Sequence, residues 1–370
     1  MNAPRIRPTV LSLPAYEPGR SLQKVREETG TSSLVKLASN ESLWGPSPQA
    51  LAAAQAALSE CHLYPEVRFE PLQAALAKAH GLSSDQILVG NGADDLLRVI
   101  ATACLEPGST AIHLAPSFSY YRTAIVLAHG EPVAAPLTAD GAPDLEAVLD
   151  RVTPATRLIF LCSPNNPTGN IVRRPAWDAF LDRLPPEVLV VVDQAYAEFC
   201  LDSAHPSLVR EIRAGRPVVM VRTLSKAYGL AGLRIGWLAA PSALVQVFER
   251  VRDPFAVNLV AQRAAVAAVE DQAWLQRVLA ETTLGRERLR EALVARGLAV
   301  YPSEANFLLV EVPDDARAVA QAMERQGVIV RPASSFGLPR HIRVTVGPTW
   351  AQDRFLEALD TVLANRPGRD

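Results

Sequence analysis

The sequence predicts an α/β fold in which a mostly parallel sheet carries helices on both faces and a smaller α/β unit follows it. Three observations support this fold class. Apolar, strand-like runs alternate with helical patterns from about residue 48 to residue 245. These runs are almost continuously apolar, which is typical of parallel strands that are covered on both faces. Beyond about residue 297 the same alternation resumes on a smaller scale.

Apolar periodicity and the positions of Gly and Pro set the bounds of the predicted elements. In the larger unit, we predict helices over residues 49–59, 70–80 and 94–105. Strands are predicted there over residues 87–89, 110–114, 158–161, 188–192, 218–221 and 235–239. Residues 245–296 are predicted to be helical almost throughout. In the smaller unit, strands are predicted around residue 300 and over 306–311, 328–331 and 342–346, with helices over 316–326 and 351–364.

At 370 residues the chain is longer than one typical domain, and these patterns divide it into three parts. Residues 1–35 carry four prolines and are interpreted as an N-terminal arm that packs with the small domain. Residues 36–250 form the predicted large domain. Residues 251–370 form the predicted small C-terminal domain.

Composition argues against several classes of function. A net charge of -2 without a basic stripe predicts no binding to nucleic acid. The chain lacks both an apolar N-terminal signal core and an apolar stretch of about 18 residues, so we expect a cytoplasmic protein without a membrane partner. Its four cysteines form no CxxC pair and are expected to be reduced thiols. Its six histidines show no metal-ligand spacing, which predicts that no metal is bound.

Lys226 is the most informative residue of the sequence. It is one of only four lysines, and it lies among small and apolar neighbours beside two hydroxyl residues, Thr223 and Ser225. Desolvation lowers the pKa of a lysine, and a neutral amine can form an imine with an aldehyde. A solvated surface lysine is the alternative, but the surrounding segment favours a Schiff-base lysine.

Polar segments follow the other predicted strands, and ligands of open α/β sheets bind at the carboxyl ends of strands. Gly92 and Ala93 lie in a turn before a helix, where free amides suit a phosphate, although an ordinary turn has the same pattern. Phe118 could stack on a flat ring or could simply belong to the core. Asn166 lies in a rigid Pro-rich turn that can hold its side-chain amide toward a ligand. A turn that makes only local hydrogen bonds is the alternative.

Two charged residues in strand patterns also suggest a binding site. Asp193 ends an apolar strand, where a carboxylate is costly unless it is paired; a protonated pyridine nitrogen is one suitable partner, and a helix cap or a salt bridge is the alternative. Arg343 lies within a strand of the smaller unit and could bind a substrate carboxylate. An arginine on the surface of an edge strand is the alternative there.

Taken together, these segments resemble the fold-type I aminotransferases that depend on pyridoxal phosphate (PLP), most closely those acting on histidinol phosphate. The resemblance covers nearly the whole chain. It depends on the order of the phosphate turn, the aromatic segment, Asn-Pro-Thr-Gly, Asp-x-Ala-Tyr, Ser-Lys, Arg234 eight residues later, and a C-terminal arginine. It implies fold type I, a homodimer, and transamination between L-histidinol phosphate and 2-oxoglutarate within histidine synthesis.

The resemblance also implies roles for residues around the cofactor. Lys226 would hold the PLP aldehyde and then move a proton, and Asp193 would keep the pyridine nitrogen protonated. Asn166 and Tyr196 would hydrogen-bond the ring hydroxyl, and Phe118 would stack on the ring. The remaining residues would contact the cofactor phosphate: Gly92, Ala93, Asp94, Thr223, Ser225 and Arg234, together with Tyr64 reaching from the neighbouring subunit.

Substrate contacts are implied in the same way. Arg343 would bind the α-carboxylate, and Arg331 would help to bind the phosphate of the substrate. Tyr16 and Asn40 would close over that end, and Asn166 would also face the substrate.

Some positions depart from the family pattern and keep other functions open. Ser42 and Leu43 replace the usual Asn-Pro, and Ala93 and Phe336 stand where Ser and Tyr are common. Relatives with this signature also transaminate aromatic amino acids, which is one alternative. A PLP-dependent decarboxylase of a phospho-amino acid is a second alternative. A PLP-binding sensor domain of a transcription regulator is a third, but it would need a DNA-binding domain ahead of the fold.

Overall fold

A computed structural model describes residues 6–11, 13, 20–31 and 33–365. The helices are α1 (Pro8–Leu11), α2 (Leu22–Thr29), α3 (Pro48–Ala57), α4 (Glu70–His80), α5 (Ala93–Cys104), α6 (Tyr120–Leu127), α7 (Leu145–Leu149), α8 (Arg174–Arg183), α9 (Val209–Arg213), α10 (Ser242–Glu249), α11 (Leu259–Glu270), α12 (Gln272–Val294), α13 (Ala316–Arg325) and α14 (Thr349–Ala364). The strands are β1 (Val35–Lys36), β2 (Ile87–Gly90), β3 (Thr110–Leu114), β4 (Glu131–Ala135), β5 (Thr156–Cys162), β6 (Leu189–Asp193), β7 (Val218–Thr223), β8 (Gly236–Ala239), β9 (Phe307–Glu311), β10 (Val328–Ile329), β11 (Arg331–Pro332) and β12 (His341–Thr345).

The largest sheet has seven strands in the order β2-β8-β7-β6-β5-β3-β4. Neighbouring strands are parallel from β7 to β4, whereas β8 is antiparallel to both β2 and β7. The prediction of an α/β fold with a mostly parallel sheet is therefore confirmed. The sequence pattern did not reveal β4 or the reversed direction of β8, because β4 contains Pro132 and only one fully buried residue, and an apolar run carries no information about strand direction.

Both faces of this sheet are buried, because successive side chains of each strand belong to different core clusters. In β6, Val190 and Val192 pack in one cluster, while Val191 packs in the other. Side chains of a strand alternate between its faces, so a strand covered on both faces needs apolar residues at every position. The continuous apolar runs of the sequence have this structural cause.

The smaller unit contains a three-stranded antiparallel sheet in the order β11-β12-β9. Its core includes Leu308, Val344 and Phe355, which come from β9, β12 and α14. The predicted strand over 328–331 is divided into β10 and β11, and the strand predicted near residue 300 is a single bridge between Val300 and Val310.

The segment that follows α2 attaches the beginning of the chain to the smaller unit. β1 pairs with β10 in parallel, and Leu37 continues this contact by donating its amide to the carbonyl of Ile329 at 2.7 Å. Val25 of α2 packs with Ala38 and Ile329. These contacts agree with an arm that packs against the small domain, while the domain boundaries themselves stay a prediction.

The described residues show few features outside this α/β architecture. None of their helices is both long and apolar enough to cross a membrane. Within the same ranges, no group of three or more His, Cys, Asp or Glu side chains could hold a metal ion. All four cysteines are free thiols.

Gly236, at the start of β8, allows this strand to approach the turn before α5. A Cβ atom at position 236 would lie 2.8 Å from the amide nitrogen of Ala93 and 2.9 Å from the carbonyl oxygen of Arg222. Both neighbours are backbone atoms, so they cannot move aside cheaply. The close approach brings the turn at 90–94 beside the segment that precedes β8.

We expect Gly236→Ala to lower the free energy of unfolding by about 1–3 kcal/mol, because overpacking against fixed backbone is destabilising. Urea unfolding would measure the change. Gly232→Ala is the matched control, since a Cβ atom there meets nothing within 4 Å and should change stability by less than about 0.5 kcal/mol. Equal effects of the two substitutions would contradict the steric explanation.

Candidate active site

A cavity of about 280 Å³ lies at the edge of the large sheet where the parallel strands end. Because β8 is antiparallel, the segment before its first residue reaches the same edge. The cavity is lined by thirteen of the residues that the sequence predicted: Asn40, Ala93, Asp94, Phe118, Asn166, Asp193, Tyr196, Thr223, Ser225, Lys226, Arg234, Arg331 and Arg343. The structure therefore brings most of the predicted site together.

Lys226 lies just beyond the end of β7, and its amine faces the cavity. Its Nζ donates a hydrogen bond to the carbonyl oxygen of Ser39 at 3.0 Å. Burial and, to a smaller extent, the nearby charge of Arg343 together lower the pKa of Lys226 from 10.5 to about 8, while Glu41 and Asp94 act in the opposite direction. A substantial fraction of this amine is therefore neutral near pH 8 and able to act as a nucleophile or a base.

Asp193 is the last residue of β6 and is only 4% exposed. Its carboxylate accepts hydrogen bonds from the hydroxyl of Tyr121 at 2.8 Å and from the amide of Ala195 at 3.0 Å. Burial raises the pKa of Asp193 to about 6, although both hydrogen bonds oppose that shift. Among the described residues no lysine or arginine forms a salt bridge with it, so a cation in the cavity would stabilise its charge.

Tyr196 follows β6 by three residues and is buried against Phe307, with the two rings 5.0 Å apart in an edge-on arrangement. Its hydroxyl accepts a hydrogen bond from the side-chain amide of Asn40 at 3.1 Å. Burial raises the pKa of Tyr196 to about 12, while Arg343 and Asn40 lower it. Tyr196 is therefore a protonated phenol near neutral pH, and its O–H can act as a donor.

The turn between β2 and α5 faces a cluster of hydroxyl and guanidinium groups. α5 begins at Ala93, so its first amides have no partners within the helix. Gly92 precedes it with a φ of 85°, and a Cβ atom there would lie 2.7 Å from a terminal nitrogen of Arg234. Thr223 donates to the hydroxyl of Ser225 at 3.0 Å, and Arg234 reaches the same hydroxyl at 3.5 Å.

This cluster has the chemistry of an anion site, because amides at a helix N-terminus, hydroxyls and a guanidinium all favour negative charge. Asp94 is a partial exception, since it lies 3.7 Å from Arg234 and brings its own carboxylate. Burial raises the pKa of Asp94, whereas Arg234 and Lys226 lower it.

Phe118 lines the cavity and also contacts the core. Its ring meets the edge of Tyr121 at 5.6 Å and 85°. Tyr121 is fully buried and stacks on Phe160 at 5.3 Å. Thus Phe118 presents a partly exposed face to the cavity, and Tyr121 fixes its position while also holding Asp193.

Arg331 and Arg343 approach the cavity together because β11 and β12 pair in a register that puts them directly opposite each other. Directly opposed residues of an antiparallel pair share one face of the sheet. Arg343 is 6% exposed, donates to the carbonyl of Ala38 at 2.7 Å and bonds the side-chain oxygen of Asn166. Arg331 is more accessible and lies 3.4 Å from the hydroxyl of Ser335.

Three predicted site residues are not among those that line this cavity: Tyr64, Tyr16 and Gly92. Tyr64 is 81% exposed, stacks on Phe255 and does not line the cavity of its own chain. Tyr16 lies outside the described residues. Gly92 contributes through the turn that it forms rather than through a lining side chain.

Sequence reasoning missed several residues of the site. Tyr121 was recognised only as part of an aromatic segment, although its spacing from Phe118, close to one helical turn, could have placed the two rings together. Thr345, which contacts Asn40, follows Arg343 by two residues and thus lies on the same face of β12. The contacts of Ala38 and Ser39 are made by their backbone carbonyls, so the identities of these residues give no indication of them.

Comparisons with known proteins agree with this geometry. Residues 32–361 match the family model described as aminotransferase class I and II. The chain belongs to this family. It is 40% identical over 362 residues to the histidinol-phosphate aminotransferase of Moorella thermoacetica, covering 98% of this chain and 94% of the relative. It is 42% identical over 360 residues to the histidinol-phosphate aminotransferase of Symbiobacterium thermophilum, covering 97% and 98%.

A solved structure of a family member matches the whole fold. The histidinol-phosphate aminotransferase of Sinorhizobium meliloti, in complex with pyridoxal-5'-phosphate, superimposes with a TM-score of 0.88 and 30% identity. The match covers 97% of this chain and 98% of that one. The resemblance to PLP-dependent fold-type I aminotransferases that the sequence indicated is thus confirmed.

The residues of the cavity fit PLP. The buried Asp193 suits a protonated ring nitrogen, because a nearby cation would offset the cost of its desolvated charge. The turn at Gly92, with Arg234 over it, suits a phosphate. Lys226 offers an amine of lowered pKa for the aldehyde. The carboxylate, the amine and the anion site therefore lie around one cavity, and each suits a different group of PLP.

We expect an aldehyde reagent followed by borohydride to label Lys226 of the apoprotein increasingly as the pH rises through about 8, because only the neutral amine reacts. Peptide mapping as a function of pH would measure this. Arg343→Gln should move the midpoint upward, since removing a neighbouring cation makes the ammonium form less costly.

Arg340→Gln is the matched control for that shift. Arg340 bonds Glu311 at the surface and does not line the cavity, so the midpoint should stay where it is in the unmodified chain. A midpoint that does not respond to the loss of Arg343 would contradict the electrostatic assignment.

Proposed function

We propose that this aminotransferase converts L-histidinol phosphate and 2-oxoglutarate into imidazole-acetol phosphate and glutamate, in histidine synthesis. The names of the full-length relatives at about 40% identity support this substrate. The observation that carries the proposal is the pairing of Arg331 with Arg343 at one end of the cavity.

The two arginines match the negative groups of the two amino donors, which are the phosphate of histidinol phosphate and the α-carboxylate of glutamate. A phosphate monoester carries nearly two negative charges near neutral pH, whereas the α-carboxylate of glutamate carries one. Arg343 is buried and rigidly held, which suits the carboxylate that it would bind as a fork. Arg331 adds a second cation beside it, which a phosphate can use and a single carboxylate does not need.

PLP, when bound, supplies an aldehyde carbon for the amino group and a conjugated ring that withdraws electrons from the Cα of the donor. Lys226 is the base that this chemistry needs, because its amine faces the cavity and is partly neutral. It would take the proton from Cα of the amino donor and deliver it to the carbon that the cofactor aldehyde supplies.

The other proposed cofactor contacts would stabilise the charged groups of PLP, namely its ring nitrogen, its ring oxygen and its phosphate. Asp193 would keep the ring nitrogen protonated, supported by Tyr121 on one oxygen and by the Ala195 amide on the other. Tyr196 and Asn166 would hydrogen-bond the ring hydroxyl, with Arg343 bonded to Asn166. Gly92, Ala93, Asp94, Thr223, Ser225 and Arg234 would surround the cofactor phosphate, and Phe118 would cover one face of the ring.

The remaining substrate contacts keep the roles that the resemblance implies. Asn40 would line the substrate end, and Tyr16 would close over it. We also propose that the enzyme works in the cytoplasm, where its four free thiols would stay reduced.

A homodimer with shared sites is part of the proposal, and an exposed apolar surface supports it. Five large apolar side chains between residues 51 and 67 are roughly half exposed or more: Leu51, Leu58, Leu63, Tyr64 and Val67. Phe255 is also exposed and stacks on Tyr64 at 4.7 Å. Exposed apolar side chains of this number suit an interface, from which Tyr64 would reach the phosphate of the neighbouring site.

An aromatic amino-acid transaminase is the second candidate, since Phe118 and Phe336 make part of the cavity apolar. A phospho-amino-acid decarboxylase is less well supported. Release of carbon dioxide without amino transfer would identify it.

We expect Arg331→Ala to lower kcat/KM for histidinol phosphate by roughly 10- to 100-fold, because one charge-assisted hydrogen bond to phosphate is lost. Activity with phenylalanine as donor should fall much less. Steady-state kinetics with 2-oxoglutarate as acceptor would measure both.

Arg340→Ala is the control, because this arginine lies close in sequence but does not line the cavity. Equal losses for both donors, or turnover of phenylalanine but not of histidinol phosphate by the unmodified chain, would overturn the substrate assignment.

Mixing two inactive variants would test the shared site. Lys226→Ala and a Tyr64 variant with weakened cofactor binding are each expected to have low activity as homodimers. A mixed dimer would contain one complete site, because one subunit supplies Lys226 and the other supplies Tyr64. After unfolding and co-refolding, activity should recover to about a quarter of that of the unmodified chain, the value for random pairing. No recovery would contradict the proposal that Tyr64 completes the site of the neighbouring subunit.

A further inference from the structure

Asn40 is a buried hub between the two units of the chain. It is 1% exposed, and each of its four polar groups has a partner. Its backbone amide donates to the hydroxyl of Thr345 at 3.0 Å, and its backbone carbonyl accepts from the side chain of Asn306 at 3.1 Å. Its side-chain oxygen accepts from Thr345 at 3.2 Å, and its side-chain nitrogen donates to Tyr196 at 3.1 Å.

The orientation of the side-chain amide of Asn40 decides whether the hydroxyl of Tyr196 donates its proton to Asn40 or keeps it for another acceptor. A phenol has one proton, and here its oxygen accepts a hydrogen bond from Asn40. The proton of Tyr196 is then free for an acceptor in the cavity. If the amide were reversed, its oxygen would face Tyr196 and take that proton.

Thr345 is the residue that favours the observed orientation. Its hydroxyl reaches the side-chain oxygen of Asn40 and also the carbonyl of Leu37 at 2.9 Å. The hydroxyl has a single proton, which these two acceptors share, and its oxygen already accepts the backbone amide of Asn40 at 3.0 Å, so it is poorly placed to accept a second N–H from the same residue. A reversed amide would turn its NH₂ group toward Thr345 and lose this acceptor contact.

The backbone holds Asn40 in position from the side of the smaller unit. Asn40 has a φ of 54°, and Asn306 and Thr345 both belong to the unit that contains β9 and β12. Tyr196 belongs to the large sheet, so the hydrogen bond from Asn40 crosses between the units. The preceding residue, Ser39, accepts from the amine of Lys226, which places this segment beside the reacting group.

We propose that Thr345, acting through Asn40, is a positioning residue that keeps the hydroxyl proton of Tyr196 available to the ring oxygen of the cofactor. This inference depends on the proposed cofactor site but not on the identity of the substrate. The hydrogen bond from Tyr196 would favour the deprotonated ring oxygen and thereby lower the pH at which the visible band of the bound cofactor changes.

The test is a pH titration of that band without substrate. Thr345→Val should raise the transition by about one pH unit, the size expected for the loss of one hydrogen bond to a charged group. Thr345→Ser keeps the hydroxyl and should restore the transition. The charged groups facing the Lys226 amine, which are Arg343, Glu41, Asp94 and Arg234, are the same in all of these variants.

Tyr196→Phe separates a positioning role from a structural one. In that background Thr345→Val should cause no further shift, because the proton on which it acts is gone. Thr282→Val is the matched control, since the Thr282 hydroxyl is also buried but donates to the carbonyl of Val278 within α12. It should leave the titration unchanged.

Asn40→Asp provides a second route if Thr345→Val does not fold. A carboxylate can only accept, so it would take the proton of Tyr196 and raise the transition more in the Tyr196 protein than in the Phe variant. Equal shifts in both backgrounds, or no shift in Thr345→Val, would overturn the inference. Failure to turn over histidinol phosphate with a normal titration would instead overturn only the substrate assignment.

Discussion

The buried carboxylate of Asp193 is the interaction on which the rest of the site depends. A charge at the end of a central strand is costly, and within the described part of the chain it accepts two hydrogen bonds, from Tyr121 and from the Ala195 amide. Its position on the central strand β6 puts it at the sheet edge where four other strands deliver their polar segments. The cation that best offsets its cost is a protonated ring nitrogen, which is also the state that makes such a ring an electron sink.

The segment that includes residues 38–40 links this edge to the smaller unit. It offers the Ala38 carbonyl to Arg343, the Ser39 carbonyl to Lys226 and the Asn40 amide to Tyr196. Side chains of the large sheet and of the smaller unit therefore contact the same three consecutive residues. The positions of the Arg343 guanidinium, the Lys226 amine and the Tyr196 phenol are therefore all referred to this one segment.

The fold class could be read from the chain because both faces of the large sheet are buried. Every residue of β6 had to be apolar until Asp193, and that makes a strand easy to recognise. The direction of β8 and the existence of β4 could not be read in this way. The direction of β8 depends on its pairing with β2 and β7, which an apolar run does not specify, and β4 is too exposed to produce such a run.

The sequence by itself determined which chemical groups the site contains, because charged residues such as Lys226 and Asp193 stand at or just beyond the ends of apolar strands. Only the tertiary structure decided how these groups act on one another. The opposition of Arg331 and Arg343 is a matter of strand register, and the contacts of Asn40 with Thr345 and Tyr196 join residues more than 150 positions apart. Hydrogen-bond direction and register arise from packing between distant segments, and local sequence does not encode them.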